Sequence, residues 1–311
     1  MINYSIIIPH KNIPHLLQRC LDSIPRREDV QIIVADDNSD TDKVDFENFP
    51  GLNDPFVEVI FGKNENGRKG AGYARNLGLE RAKGKWLIFA DADDFFMPCF
   101  NKALDKYIDD ENDIIYFKIT SVDSDTLQPA IRHQYIINHL SKIKETNDYS
   151  MDCNLHTPWG KFIKRKIIIK NNIFFSEVQC ANDIYFGAKT VSFAKLKTVS
   201  EEEIYCVTSR ANSLVKQVSA KSFSIRFKEI YRTIIFLDSI GRKHYWVNDL
   251  SAWWIKTANA SVFQAILLLP CMIKTSGVIQ TMKCIKKSIQ IKIKQFLKRG
   301  WNFLKSRLHL K

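Results

Sequence analysis

Not one aspartate or glutamate occurs between Leu250 and Lys311, although twelve lysines and arginines do. The chain holds 46 basic and 34 acidic residues in all, so residues 1–249 are formally neutral and the whole net charge of +12 lies in the tail. The seven cysteines (Cys20, Cys99, Cys153, Cys180, Cys206, Cys271, Cys284) include no Cys-x-x-Cys pair. Their odd number argues against a disulfide framework or a zinc site and fits a reducing cytoplasm. No apolar run reaches the ~20 residues needed to span a bilayer; the longest, Ala260–Ile273, is about fourteen and contains Gln264 and Pro270. The opening Met1–Pro9 has no basic leader and reads as a first strand rather than a signal peptide. No P-loop is present and no Gly-x-Gly-x-x-Gly follows that strand, so ATP hydrolysis and hydride transfer lose ground. The histidines show no ligand spacing, and neither His10 nor His156 is assigned a role.

What is present alternates. Apolar, β-branched runs at Tyr4–Ile8, Val30–Ala35, Phe56–Phe61, Trp86–Ala90 and Ile114–Ile119 read as strands. Leu16–Ile24 and Tyr73–Ala82 have helical spacing, Asp42–Leu52 has it more weakly, and the order implies βαβ units with a mostly parallel sheet. Residues 120–155 read as a polar, variable insertion with a short helix near Ile131–Ile143, followed by helices around Lys166–Asn171 and Asn182–Phe193.

Two of the strands end in acids. Trp86–Ala90 runs into Asp91-Ala92-Asp93-Asp94, and Val30–Ala35 into Asp36-Asp37-Asn38-Ser39-Asp40. In open α/β sheets ligands bind beyond the strand tips, and carboxylates gathered there call for a positive partner. A divalent cation carrying a diphosphate suits them, because hard cations take oxygen ligands and share them with phosphates. Asp37 can accept hydrogen bonds from a nucleobase or ribose; capping a following helix is the alternative reading. Spacing alone is weak, since Asp123-Ser124-Asp125 repeats Asp-x-Asp inside a polar turn. A third segment, Gly67-Arg68-Lys69-Gly70-Ala71-Gly72 before a helix, lets backbone N–H groups approach an anion.

Together these segments resemble the family-two glycosyltransferases. The likeness rests on Ser5–Pro9, Val34–Asp40, the Ala-Arg-Asn-x-Gly helix Ala74–Gly78 and Gly84–Asp94, in that order, and extends over about residues 4–215. It implies a GT-A domain at 1–215, with a nucleotide-binding half at 1–119 and an acceptor-binding half at 120–215. It also implies that Pro9 and Asp37 hold uracil, Asp91 the ribose side, Arg75 joins the nucleotide set, and Asp93 binds Mn²⁺ or Mg²⁺. Cys180-Ala-Asn182-Asp183-Ile-Tyr-Phe186 is similar to the family's Glu-Asp-x-x-Phe motif, with Asp183 as general base; Asn182 departs from the usual Glu. Trp159 stands where the family places donor-sugar and acceptor contacts, a core tryptophan being the alternative. Tyr205–Ser213 resembles the closing segment of the domain, in which Arg210 could reach the diphosphate, a surface arginine being the alternative.

The resemblance implies an inverting hexosyltransferase that uses a nucleotide sugar and a glycan or polyprenyl-diphosphate-linked acceptor. Residues 216–311 read as a helical extension: Met282, Ile285, Ile289, Ile293, Phe296 and Leu297 recur at helical spacing among lysines, continued by Trp301, Leu304 and Leu308. A basic amphipathic helix of this kind lies in a membrane interface. The expectation is peripheral attachment to an anionic surface at the inner face of the cell membrane, with no nucleic acid as partner. A non-catalytic nucleotide- or nucleic-acid-binding protein with a basic tail is the alternative, and a sugar nucleotidyltransferase is disfavoured by the missing Gly-rich nucleotide loop.

Overall fold

A computed structural model describes residues 1–63, 70–210, 219–245 and 250–307. It divides into two compact units, Met1–Lys216 and Gln217–Lys311. The anion-loop residues Gly67, Arg68 and Lys69, together with Ser213 and Leu308, lie outside the described residues, as do the side chains of Trp301 and Leu304.

The first unit begins with β1 (Tyr4–His10), α1 (Pro14–Asp22), β2 (Val30–Asp36), β3 (Val57–Phe61), α2 (Ala71–Arg81) and β4 (Trp86–Phe89). Pro14 opens α1 with its fixed φ, and Leu16, Leu17, Cys20 and Leu21 face the sheet. The unit continues through β5 (Phe95–Phe96), α3 (Phe100–Tyr107), β6 (Ile114–Asp123), α4 (Gln134–Thr146), β7 (Lys161–Lys164), α5 (Arg165–Lys170), α6 (Ile184–Phe193) and β8 (Lys197–Ser209). The strands form one sheet in the order β3-β2-β1-β4-β7-β6-β8-β5. It is parallel from β3 to β4; beyond that β7 pairs antiparallel with both β4 and β6, so the sheet is mixed. β1, β2 and β4 are almost wholly buried, as continuous apolar runs in a parallel sheet should be.

Several expectations need correction. Asp42–Leu52 forms turns, not a helix. Residues 120–123 belong to β6, so the proposed insertion begins inside the sheet, and its helix runs over Gln134–Thr146. The 260–273 run is divided: α8 (Leu250–Ala260) ends where Ser261 caps α9 (Val262–Leu267), and α10 (Leu269–Arg307) follows. These three, α7 (Ala220–Ser239) and a short 3₁₀ turn at Lys243–Tyr245 are the described elements of the second unit. Gly277, at φ +77°, breaks α10 into two helices.

Candidate active site

Parallel pairing sets His10 opposite Asp36 in register, so both side chains emerge on one face at the tips of β1 and β2. His10 Nε2 accepts the Ile13 N–H at 3.1 Å, which leaves the proton on Nδ1, and Nδ1 meets Asp36 Oδ1 at 2.8 Å. Ser39 adds its N–H and hydroxyl to the same carboxylate at 2.8 and 2.6 Å. Burial pushes the Asp36 carboxyl up, but these hydrogen bonds outweigh burial and hold it below the ordinary carboxylate range. Asn38 turns the chain at φ +54°, a left-handed conformation that asparagine tolerates. Asp37 Oδ1 accepts the N–H of Gly70, the residue that opens α2, at 2.8 Å. Pro9 is buried one residue before the tip of β1, past the last rung of the ladder to β4.

The tip of β4 is built differently. Asp91, Asp93 and Asp94 each offer an oxygen within 4.8 Å of the others. Asp94 is fully buried, and its oxygens accept the Thr208 N–H at 2.7 Å and the Tyr205 hydroxyl at 2.9 Å, so it braces the tip against β8. The same Tyr205 oxygen accepts the Asp91 N–H at 2.8 Å. Asp93 forms an ion pair with Arg210 at 2.8 Å, and its carbonyl is held by Arg19 at 2.7 Å and by the Thr208 hydroxyl at 2.8 Å. Burial first and the charge of Asp91 second push the Asp93 carboxyl up, and Arg210 only partly offsets them. Burial, then Asp93 and Asp91, push Asp94 up as well. The control motif behaves as a turn: Asp123 Oδ1 accepts the Asp125 and Thr126 N–H groups at 3.1 and 3.0 Å.

Arg75 joins this tip to a distant segment. Its guanidinium donates to Asp91 Oδ1 at 2.5 Å and to Asn182 Oδ1 at 2.8 Å, and lies over the Phe175 ring at 5.2 Å. Beside it, Asn76 makes a two-bond pairing with the Phe175 backbone, at 3.0 and 2.9 Å. The glycines serve the same junction. A Cβ on Gly72 would stand 2.1 Å from the Ser176 carbonyl, and one on Gly70, at φ +93°, would stand 2.6 Å from that of Val178. They let segment 176–182 lie directly on the start of α2, and the Gly70 N–H is already given to Asp37.

That segment delivers Asp183 to the N-terminus of α6, half-buried and making no capping bond to its own helix. The helix dipole favours a carboxylate there. Asp183 acts electrostatically on the half-buried His156 and the buried Lys161. Burial pulls the Lys161 ammonium down to about 7 against the opposing pull of Asp152 and Asp183, and its Nζ is held by the carbonyls of Leu155 and Thr157. Trp159 is 7% exposed and stacks on Tyr205 with centroids 5.8 Å apart, so most of it is core. Arg132, just before α4, donates to the Thr208 carbonyl at 2.5 Å and pins the start of α4 against the acid tip.

Sequence reasoning passed over His10, Arg19, Asn76, Asp94 and Tyr205. A signal existed for Asp94, adjacent to Asp93, and for Asn76, inside a quoted motif; the partners of His10 and Tyr205 are set by strand register, which one sequence does not display. The acids suit a hard divalent cation: Asp91, Asp93 and Asp94 bring carboxylate oxygens within 4.8 Å of one another at a sheltered tip.

The sequence profile described as "Glycosyl transferase family 2" matches residues 5–171. The uncharacterized glycosyltransferase EpsJ of Bacillus subtilis (strain 168) is 22% identical over 219 residues, 68% of this chain and 62% of that protein. The chain thus spans about six-tenths of the length of the first curated relatives it matches. S. aureus TarS 1-349 in complex with UDP-GlcNAc superposes with TM-score 0.59 and 19% identity, covering 93% of this chain and 81% of that one. The mannosyltransferase PcManGT of Pyrobaculum calidifontis, in complex with GDP-Man and Mn²⁺, gives TM-score 0.54 and 13% identity, covering 98% and 84%. These likenesses show the GT-A fold.

Proposed function

The chain is a member of glycosyltransferase family 2, and from that premise we propose that it transfers a hexose from a nucleotide sugar to a hydroxyl of a lipid-linked or surface glycan, inverting the anomeric centre. The donor in this reading is UDP-glucose, UDP-galactose or one of their N-acetyl forms. The observation that carries it is Arg75, which binds at one end the strand-tip carboxylate Asp91 and at the other the residue preceding Asp183. One buried guanidinium thereby ties donor-side acids to a half-buried carboxylate on a separate segment, as a single displacement between two substrates requires.

In this reading Pro9, Asp37, Arg75 and Asp91 bind the nucleotide. Asp93, with Asp91 beside it, would hold Mn²⁺ or Mg²⁺, which supplies Lewis-acid neutralisation of the leaving diphosphate. Arg210, now paired with Asp93, takes a diphosphate oxygen in this reading. Asp183 accepts the proton of the acceptor hydroxyl as the new bond forms, an effect worth about 10²–10⁴-fold in rate. Trp159 contributes an edge to the sugar side while its face remains on Tyr205. Asn182 gives Arg75 a neutral acceptor where the family pattern has a carboxylate, so the Arg75 charge is balanced chiefly by Asp91.

A polyprenyl-diphosphate-linked acceptor, of the kind that builds capsule or O-antigen, places the reaction at the cytoplasmic face of a membrane. No helix among the described residues is long and apolar enough to cross one. The test is nucleoside diphosphate release from a panel of UDP- and GDP-sugars with Mn²⁺, with and without such an acceptor. Release from one UDP-sugar that needs metal and is lost in Asp183→Asn supports the reading. Folded protein that neither releases nor binds UDP overturns it in favour of a non-catalytic binding protein.

A further inference from the structure

The helix α10 turns the usual arrangement inside out. Met272 is buried before the Gly277 break; in the part of α10 beyond it the buried positions among the described residues are Thr281, Cys284 and Ser288, with Ser288 donating to Asn259 of α8 at 2.9 Å. Its large apolar residues face outward: Met282, Ile289, Ile293 and Phe296 are each more than half exposed. At 100° per residue these four and Ile285 fall within an arc of about 80°, along some 20 Å of helix. At the same 100° per residue Lys286 borders that stripe on one side, with Lys283 about 60° farther round, and Lys292 borders it on the other. In α9, Phe263, Ile266 and Leu267 are exposed as well.

An exposed apolar stripe of this length on a folded chain marks a contact surface. We infer that it docks on an anionic lipid bilayer, lying in the headgroup plane with the apolar stripe inserted and the lysines on the lipid phosphates. Charge selects this occupant. With no acid from Leu250 onward, a second copy of the helix would bring lysine against lysine. A nucleic-acid partner would use the lysines and leave the stripe in water. Phosphate headgroups above an acyl layer satisfy both. The inference rests on the reading of a membrane-borne acceptor and names the surface that would hold the enzyme beside it.

The test is co-flotation of the full chain with vesicles of phosphatidylcholine alone or with about one-third phosphatidylglycerol, UDP affinity being measured on the same preparations. The expected result is binding to the anionic vesicles, weakened at least tenfold by the double change Ile289→Glu and Phe296→Glu, with UDP affinity unaltered. Changing Lys283, Lys286 or Lys292 to Gln should weaken binding about five-fold each. Because all these positions are at the surface, the helical circular dichroism should persist; Ile293→Glu alone provides a milder second variant. Failure of the wild type to float, equal flotation of the double variant, loss of a vesicle-free dimer in that variant, or stronger retention on duplex DNA than on vesicles would each overturn the docking surface. A protein that floats but fails to bind UDP instead overturns the enzymatic reading and leaves the surface standing.

Discussion

The tips of β2 and β4 both bear paired or clustered aspartates, yet the protein treats them in opposite ways. At β2 it supplies the partners itself: His10 and Ser39 saturate Asp36, and its carboxyl sits below the ordinary range. At β4 it satisfies Asp94 internally but leaves Asp91 and Asp93 with arginines and each other, and the Asp93 and Asp94 carboxyls are raised. One tip is a finished hydrogen-bonded corner, and the other holds unresolved negative charge. Buried carboxylates contribute to stability only when their partners are present, so the difference separates an acid satisfied within the fold from acids that, in the proposed reading, serve a ligand.

The sharpest way to break that contrast is Asp93→Ala. If Asp93 belongs to the ligand, turnover should fall by about 10³-fold or more, the loss expected when charge stabilisation of a leaving group is removed. Thermal stability of the ligand-free protein should hold or rise, because a source of repulsion on Asp91 and Asp94 has gone. A melting temperature lowered by several degrees would make β4 a structural tip after all.

His10→Ala addresses the other tip and should do the reverse. It strands Asp36 in a buried site with Ser39 alone, a cost of about 3 kcal/mol or somewhat more in unfolding free energy because the group that loses its hydrogen bond is charged, while protein that remains folded keeps its metal affinity. Urea titration and Mn²⁺ binding on one preparation distinguish the two effects. Unchanged stability would show that the histidine is dispensable and the contrast overstated.

Tyr205→Phe should cost less. The hydroxyl both donates to Asp94 and accepts the Asp91 N–H, so its removal leaves buried groups unpaired for about 1–3 kcal/mol. The ring still stacks on Trp159, so the sheet persists and the loss appears as looser positioning of Asp91, with a weaker apparent donor affinity.

These residues also show what one sequence can display. Acids that end an apolar strand are visible, because composition changes abruptly at the tip; α1, α2 and the parallel strands announce themselves by period. Helix α3 carried an equally clear pattern in Phe100, Ala103, Leu104 and Tyr107, all buried, and the sequence reading passed over it. β7 and β8 were not readable. Lys161 and Lys164 are buried at the two ends of β7, their ammonium groups held by loop carbonyls, and so look like surface residues. In β8, the run Glu201-Glu202-Glu203 interrupts the apolar pattern where the ladder to β6 shifts register, and Glu201 is paired with Lys118 and Lys144. Long-range partners such as Asp91 for Arg75, or Asp36 for His10, depend on which strands lie side by side, and no local pattern encodes that.

The smallest expected effect is also the one that tests both tips at once. Asp36 has a depressed carboxyl, so the native state binds fewer protons than the unfolded chain near the ordinary aspartate value of about 3.9. Its stabilisation is present above that value and is lost as pH falls through the lower native one. Asp94 is raised, so there the native state holds the extra proton; its contribution to stability is full below about 3.9 and declines as pH rises through the window up to the native value. The slopes therefore oppose each other, each at most about 1.4 kcal/mol per pH unit per proton. Denaturant titrations across this range should show the acid-side loss diminished in His10→Ala and the rising-pH decline diminished in Asp94→Asn. Added Mn²⁺ should act on the second slope alone: it favours the charged form of the β4 acids, stabilises the protein more as pH rises, and releases protons on binding. A metal-induced change on the acid side that survives in Asp93→Ala would move the ligand's charge to the other tip.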